Sequence, residues 1–203
     1  MEVNMNEKLM NACVFKGDGV FKVERWPIPT PGPNEVLVQI KSVGICGSDV
    51  LGYLGKTQNR KPGIVMGHEA AGIVAEVGEG VTEWSPGDRV ALFPFITCGK
   101  CEFCRRGIRM MCENGRTLGS NRQGVQHGAM CEYMIMPAEN HLFKLADNIS
   151  FEEGALSDPM GNVLHVMNRA GVNPGDTVAI IGAGSIGLVA IQAAKIKGPA
   201  QII

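Results

Sequence analysis

Residues 98–112, CGKCEFCRRGIRMMC, carry four cysteines in the pattern C-x2-C-x2-C-x7-C. Thiolates at this spacing can converge on one tetrahedral ion, and an all-sulfur site with four protein ligands is typical of structural zinc. An iron–sulfur cluster uses similar ligands, but ferredoxin runs usually place a proline after the last cysteine, and here Glu113 follows it. The spacing therefore favours zinc over a cluster, and both over four unconnected buried cysteines. The candidate ligands are Cys98, Cys101, Cys104 and Cys112.

The composition of the 203-residue chain excludes several classes of partner. Its formal net charge is −1, so it lacks the clustered excess of Lys and Arg that binds phosphate backbones, and no nucleic-acid partner is expected. Residues 1–11 lack the apolar core of a signal peptide, and glycines interrupt the uncharged stretch 177–194, which predicts a buried strand and helix and no membrane span. Seven cysteines in such a chain predict metal ligands in a reducing compartment, and hence a cytoplasmic location.

Short β-like segments follow one another from about residue 10 to 145. Proline and glycine turns separate them, which predicts a barrel or sandwich. The insertion at about 94–125 shows no strand pattern, and a loop of this size cannot bury a core of its own, so a bound metal would supply its folding energy. The predicted strands, rich in Val and Ile or alternating in polarity, are 35–46, 69–78, 88–93, 131–137 and 141–145.

The β-like sequence pattern gives way to helix signals near Ser150. Ser150 and Glu153 form a capping-box signature, which predicts the start of a helix. This helix is predicted to be interrupted near Pro159 and to end at Gly171.

A glycine loop joins the predicted strand 177–183 to the apolar helix 188–198, and a further strand starts near residue 200. Strand, G-x-G-x-x-G loop and helix in this order form the context that dinucleotide binding requires. The glycines permit a tight turn, close approach of a pyrophosphate and close packing of the helix, whose first amides face the anion. A glycine-rich helix entry in an unrelated α/β protein is the alternative. The candidate cofactor-binding residues are Gly182, Gly184, Ser185, Ile186 and Gly187.

A second set of candidate metal ligands lies upstream. The motif GICGSD puts Cys46 at the end of an apolar strand, and the motif GHE puts His68 and Glu69 at the start of the next. Cysteine, histidine and an acidic ligand with one open position have the composition of a catalytic zinc site. Singly, each also fits a packing or surface role. Asp158, in the segment Asp-Pro-x-Gly-Asn, adds a carboxylate in the interrupted helix.

The order of five motifs resembles that of the zinc-dependent medium-chain alcohol and polyol dehydrogenases, and within them the sorbitol and threonine dehydrogenase branch. The motifs are GICGSD, GHE, the four-cysteine lobe, the Asp-Pro-x-Gly-Asn segment and the glycine loop. The resemblance implies an α+β chain. A GroES-like β-barrel catalytic domain would cover residues 1–160, with the structural zinc lobe at about 94–125. The first βαβ unit of an incomplete Rossmann domain, binding NAD or NADP, would cover 161–203. Full-length relatives of this kind are homo-oligomers.

The resemblance also implies roles for single residues. Cys46, His68 and Asp158 would hold the catalytic zinc, and Glu69 would either enter the coordination sphere or orient it. Ser48 would take the proton of the substrate hydroxyl, while hydride passes to the nicotinamide. The chain would thus bind two zinc ions, one catalytic and one structural. It would interconvert a secondary alcohol, polyol or amino-alcohol and a ketone.

Two features depart from the family pattern. Many relatives place a histidine five residues after the first zinc cysteine, where this chain has Leu51. We therefore expect the proton to leave through Ser48, the cofactor ribose or water, or to leave more slowly. The sequence also stops at Ile203, before the acidic residue expected about 20 residues after the glycine loop. We therefore expect a fragment, with a deliberately shortened chain and a naturally short product as alternatives.

Three functions are compatible with these patterns. The leading one is the oxidoreductase, and its rival is a non-catalytic zinc-binding remnant of such a dehydrogenase. The third is a metal-dependent interaction module built around the cysteine lobe. The remaining cysteines and histidines are interpreted as packing residues, the last of them alternatively as a neighbour of the cofactor: Cys13, Cys131, His127, His141 and His165.

Overall fold

The computed structural model describes residues 8–203, and the chain forms two compact units. The first unit ends at Ala155, and the second spans Leu156–Ile203. This division falls a few residues before the domain boundary predicted after residue 160, which stays a prediction.

The first unit is mostly β-structure. Its strands are β1 (Leu9–Gly17), β2 (Val20–Pro27), β3 (Glu35–Gly44), β4 (Glu69–Val77), β5 (Arg89–Leu92), β6 (Phe95–Ile96), β7 (Arg116–Thr117), β8 (Tyr133–Pro137) and β9 (Leu142–Lys144). Its helices are α1 (Gly47–Tyr53), α2 (Glu102–Arg105), a 3-10 turn at Arg109–Met111, and α3 (Phe151–Ala155). The second unit contains α4 (Ser157–Ala170), β10 (Thr177–Val178), α5 (Ser185–Lys197) and β11 (Gln201–Ile202).

Five strands of the first unit form an antiparallel sheet in the order β8-β3-β4-β5-β9. The pairing of β3 with β4 runs from Val36 opposite Val77 to Gly44 opposite Glu69. The C-terminal end of β3 therefore lies beside the N-terminal end of β4, where the candidate catalytic ligands begin. Apolar side chains from these strands form the main core, each at most 2% exposed: Val36, Val38, Val74, Val90, Leu92 and Met136.

The first unit also contains a hairpin, formed by β1 and β2, for which the sequence patterns above predict no strands. Its turn holds Asp18 at φ 48° and Gly19 at φ 70°. An Asp-Gly pair with both residues in the left-handed region is the signal of a two-residue hairpin, so the information was present in the sequence.

Most predicted strands are present with shifted ends. The strand predicted for 35–46 ends at Gly44, because Cys46 already caps helix α1. The insertion 94–125, predicted to lack strands, contains the antiparallel pair β6 and β7, the helix α2 and the 3-10 turn. These pieces are two to four residues long, too short to show a hydrophobic period.

The second unit has the predicted strand–helix–strand order, with β10 parallel to β11. Strand β10 is shorter than the predicted 177–183, although the Ile180 N–H still bonds the Ile203 carbonyl at 2.7 Å. The uncharged stretch 177–194 thus forms a strand, a loop and part of α5. Within residues 8–203, no helix has both the length and the apolar character needed to cross a bilayer.

The helix signals near residue 150 are confirmed in part. The Ser150 Oγ accepts the Glu153 N–H at 3.1 Å, and Glu153 Oε2 accepts the Ser150 N–H at 2.8 Å, as in a capping box. The interruption falls at Leu156 and not at Pro159, which lies in the first turn of α4, where backbone N–H groups have no partner within the helix. Gly171 ends α4 in the left-handed region at φ 70°, as predicted.

We expect Gly72→Ala to lower the free energy of unfolding by about 1–3 kcal/mol, because the two central strands must move apart. A Cβ on Gly72 would overlap the carbonyl oxygen of Gln39 and lie 2.9 Å from Val38 Cγ1. Urea unfolding followed by circular dichroism measures the change. Gly161→Ala is the matched control, since its Cβ would meet no atom within 4 Å and alanine favours a helix. A similar loss in both variants would contradict the prediction.

Candidate functional site

Cys46 lies at the junction of β3 and α1. Its extended backbone (φ −75°, ψ 153°) caps the helix, and Asp49 Oδ2 accepts the Cys46 N–H at 3.1 Å, which holds the turn. The thiol therefore lies at the start of α1. Its pKa is lowered, chiefly by a hydrogen bond with His68 and further by the Ser48 backbone.

His68 and Glu69 reach the same place from the start of β4. Glu69 pairs opposite Gly44, and a Cβ on Gly44 would overlap Glu69 Oε2, so the glycine leaves space for the carboxylate. Ligand atoms of Cys46, His68 and Glu69 all lie within 4.8 Å of one another. The structure thus brings together three of the four residues predicted around the catalytic metal.

Asp49 is a site residue that the sequence patterns did not reveal. Its side chain is 2% exposed, and its Oδ1 lies 3.7 Å from His68 Nδ1. Within residues 8–203, that nitrogen is a buried polar atom without a hydrogen-bond partner, and the Asp49 carboxylate faces it. Burial opposes the charging of His68, but its contacts with Cys46 and Asp49 raise its pKa. In the sequence, the signal for Asp49 is its position three residues after Cys46, where an acidic side chain can cap the start of a helix.

The other two predicted catalytic residues lie in different units. Ser48 is the second residue of α1, and its Oγ accepts a hydrogen bond from Arg60 Nη2 at 3.3 Å. Asp158 lies in the first turn of α4, where Asn162 Nδ2 donates to its backbone carbonyl at 3.0 Å and to its Oδ2 at 3.5 Å. The role of Asp158 as a ligand stays a prediction.

The four lobe cysteines converge, with their sulfur atoms within 4.8 Å of one another. The backbone N–H groups of Lys100 and Cys101 lower the pKa of Cys98 to about 6, whereas desolvation and the adjacent thiols raise the pKa of Cys104 to about 12. Thiolates this close repel one another, so a cation is needed for all four to be deprotonated together. The donor set therefore fits a metal.

The predicted cofactor loop leads from β10 into α5. Gly182 turns the chain at φ 105°, and Gly184 caps the helix that starts at Ser185, with Ile186 in its first turn. A Cβ on Gly187 would overlap the Gly182 carbonyl oxygen, so only glycine allows this close packing. A Cβ on Gly184 would meet nothing within 4 Å, which leaves the helix start open to an anion.

Three of the residues interpreted as packing residues form hydrogen bonds with the protein backbone. His141 Nε2 accepts the Thr97 N–H at 2.9 Å, and His127 Nδ1 accepts a backbone N–H at 3.3 Å. The Cys131 thiol donates to a backbone carbonyl at 3.2 Å, and burial raises its pKa to about 12.

Comparison with known proteins places these features in a wider context. Residues 32–147 match the family model of the alcohol dehydrogenase GroES-like domain. The chain is 43% identical to a sorbitol dehydrogenase of Bos taurus, over 95% of this chain and 54% of that protein. It thus spans about half the length of that relative.

Comparison with solved structures shows the same similarity to dehydrogenases. The alcohol dehydrogenase TADH from Thermus sp. ATN1 superposes with a TM-score of 0.88 at 37% identity, over 96% of this chain and 57% of that one. A Sinorhizobium meliloti protein, described as a zinc-binding dehydrogenase and solved with NADP bound, gives 0.86 at 33% identity, over 97% and 56%. The predicted fold class, with its GroES-like first domain, is confirmed.

We expect Cys112→Ser to lower the zinc content of the purified protein by about one ion per chain, because a serine hydroxyl cannot replace the fourth thiolate. Elemental analysis measures the content. Cys131→Ser is the control, since a hydroxyl can donate to the same carbonyl and no metal ligand is lost. An unchanged zinc content in Cys112→Ser would contradict the prediction.

Proposed function

We propose, because this chain belongs to the family of zinc-dependent medium-chain alcohol and polyol dehydrogenases, that its protein interconverts a secondary hydroxyl and a ketone with NAD or NADP. The observation that carries the proposal is the convergence of Cys46, His68 and Glu69 ligand atoms within 4.8 Å, beside the helix that carries Ser48. The identity to a sorbitol dehydrogenase supports a polyol as the substrate.

A zinc ion fits the donor set of this site. Thiolate, imidazole and carboxylate are the ligand types of catalytic zinc, and a carboxylate beside the second imidazole nitrogen, as Asp49 is beside His68, typically orients such a ligand. Cys46, His68 and Asp158 would hold the ion, and Glu69 would bind or orient it. A bound zinc supplies Lewis acidity that lowers the pKa of an alcohol. The four lobe cysteines would hold a second zinc with a structural role.

Ser48 is proposed to carry the substrate proton. An alcohol must lose a proton as well as a hydride to become a ketone, so the site needs a path for the proton. The Ser48 hydroxyl can accept the proton of the alcohol while giving its own to a cofactor ribose or to water, and is neutral before and after. Leu51, 47% exposed on the same helix, has no group that could accept it.

The glycine loop is proposed to bind the pyrophosphate of the cofactor. The open backbone at Gly184 and the amides of Ser185 and Ile186 at the start of α5 support this, since helix N-termini favour anions. A nicotinamide cofactor held there would supply the hydride acceptor. The NADP in the Sinorhizobium meliloti structure supports a nicotinamide cofactor without deciding between NAD and NADP.

The proposed setting is the cytoplasm, with a small alcohol or polyol as the partner of the site. The clustering of cysteine thiols as candidate metal ligands supports a reducing compartment.

The assay that tests the function follows reduced nicotinamide with sorbitol, xylitol and 2-propanol as substrates. We expect turnover that a chelator abolishes and added zinc restores. Zinc binding without NAD(H) binding or turnover would support the non-catalytic remnant instead, and a single zinc per chain would support the interaction module.

We expect Ser48→Ala to lower kcat by about 10²–10⁴-fold with little change in KM, because the proton path is lost while substrate contacts remain. Ser48→Thr keeps the hydroxyl and is expected to retain activity. Steady-state kinetics with the zinc content matched between variants measures both. Equal losses in the two variants would argue against a role for the hydroxyl.

We expect Gly184→Ala to raise the Kd for NAD(H) by roughly tenfold or more without loss of stability, since its methyl group would occupy space meant for the pyrophosphate. Calorimetric titration and thermal unfolding measure the two effects. Gly187→Ala is the contrasting variant, because its Cβ would overlap the Gly182 carbonyl oxygen and destabilise the unit itself. An unchanged Kd in Gly184→Ala would refute the proposed phosphate position.

A further inference from the structure

Arg60 is a buried cation that the proposed mechanism does not use. It lies between α1 and β4 and is 8% exposed. Its Nη2 donates to Ser48 Oγ at 3.3 Å and lies 3.5 Å from Asp49 Oδ1, and its Nη1 donates to the Asn59 carbonyl at 3.3 Å. Within residues 8–203, its Nε is a buried atom without a hydrogen-bond partner. Moving a guanidinium from water into the protein interior costs free energy, so the buried position of Arg60 calls for an explanation.

The stem of Arg60 reaches α1 because that helix has no side chain at Gly52. A Cβ on Gly52 would lie 2.5 Å from Arg60 Cγ and 2.9 Å from Arg60 Cβ. Any other residue at this position would push the guanidinium away from the helix. The loop before Arg60 is also held, since the Asn59 carbonyl accepts the Asn121 N–H at 2.9 Å.

Asp49 supplies the counter-charge of this guanidinium. The groups that face its carboxylate are Arg60 Nη2, His68 Nδ1 and the Cys46 N–H. Arg60 and Asp49 thus form an ion pair beside Ser48, with side chains 6% and 2% exposed. Water has little access to it, so the geometry of the pair is set by the protein.

We propose that Arg60 is a positioning residue that fixes the direction in which Ser48 passes its proton, an inference that rests on the proposed function. A guanidinium has donors and no acceptor, so Ser48 Oγ accepts from Arg60 and cannot send its proton toward it. One lone pair of the hydroxyl is occupied in this way. The other receives the proton of the alcohol, and the Ser48 O–H points to a ribose hydroxyl or water. The fixed charge also stabilises negative charge that builds on Oγ during the transfer.

The proposed proton and hydride transfers balance in atoms and electrons. The O–H bond of the alcohol breaks as an O–H bond forms on Ser48, whose original proton moves to the ribose hydroxyl or water. The hydride leaves with its electron pair to the nicotinamide. Arg60 keeps all its protons, so its effect is exerted through Ser48 alone.

The test is a double-mutant cycle between Arg60 and Ser48 in the zinc-loaded protein. Arg60→Met keeps the stem over Gly52 and removes the donors, and Arg60→Lys keeps a positive donor. We expect Arg60→Met to lower kcat by about tenfold with KM nearly unchanged, to increase the solvent isotope effect on kcat, and to be partly rescued by Arg60→Lys. In the Ser48→Ala background, Arg60→Met should cause less than about twofold further loss.

Arg89→Met is the matched control. Arg89 is a half-buried arginine of the same unit that bonds the carbonyls of Ala146 and Asp147. Its loss should lower stability and leave the isotope effect unchanged. Zinc content and circular dichroism are compared for every variant, and Arg60→Gln enters the same cycle if Arg60→Met does not fold.

The possible results distinguish failure of the role proposed for Arg60 from failure of the proposed dehydrogenase function. An unchanged kcat in a folded, zinc-loaded Arg60 variant, or equal losses with and without the Ser48 hydroxyl, would overturn the role of Arg60 and leave the dehydrogenase in place. Absence of turnover in the parent protein with every secondary alcohol would overturn the proposed function and the inference together.

Discussion

The antiparallel register of β3 and β4 is the constraint on which the candidate catalytic site depends. Because Gly44 pairs opposite Glu69, the segments that follow one strand and precede the other meet at a single edge of the sheet. The Cys46 thiol and the His68 imidazole come together there, although they are distant along the chain. A slip of one residue would turn these side chains to the opposite face and separate them.

A buried group of charged side chains adjoins the candidate catalytic ligands. Asp49 contacts the Cys46 backbone, the His68 ring and the Arg60 guanidinium, so one carboxylate links both strands and the loop between them. Buried ion pairs seldom add stability over apolar packing, because desolvation offsets the attraction. What this pair provides is orientation, since each charge leaves its neighbours few ways to arrange their hydrogen bonds.

The two candidate metal sites differ in the support that the surrounding fold gives them. The lobe has short pieces of secondary structure and little apolar core, so four thiolates around an ion can replace the burial that it lacks. The site at the end of β3 is supported by the pairing of β3 with β4 in the main sheet. Its mixed donors suit an ion that keeps an open position, whereas four sulfur ligands would leave an ion in the lobe without one.

The sequence by itself determined the features that depend on neighbours along the chain: the spacing of the lobe cysteines, the glycine loop before α5 and the capping box at Ser150. Each reflects contacts within one turn or one element, so a local pattern suffices to reveal it. The β1–β2 hairpin is equally local, since the Asp18-Gly19 pair is the sequence signal of its turn. The approach of Arg60 over Gly52 to the Ser48 hydroxyl, and the place of Asp49 between strands, were decided only by the tertiary structure. Strand register and loop packing create those contacts. The spacing of Asp49 after Cys46 indicates only that it caps α1, and not that it approaches His68 and Arg60.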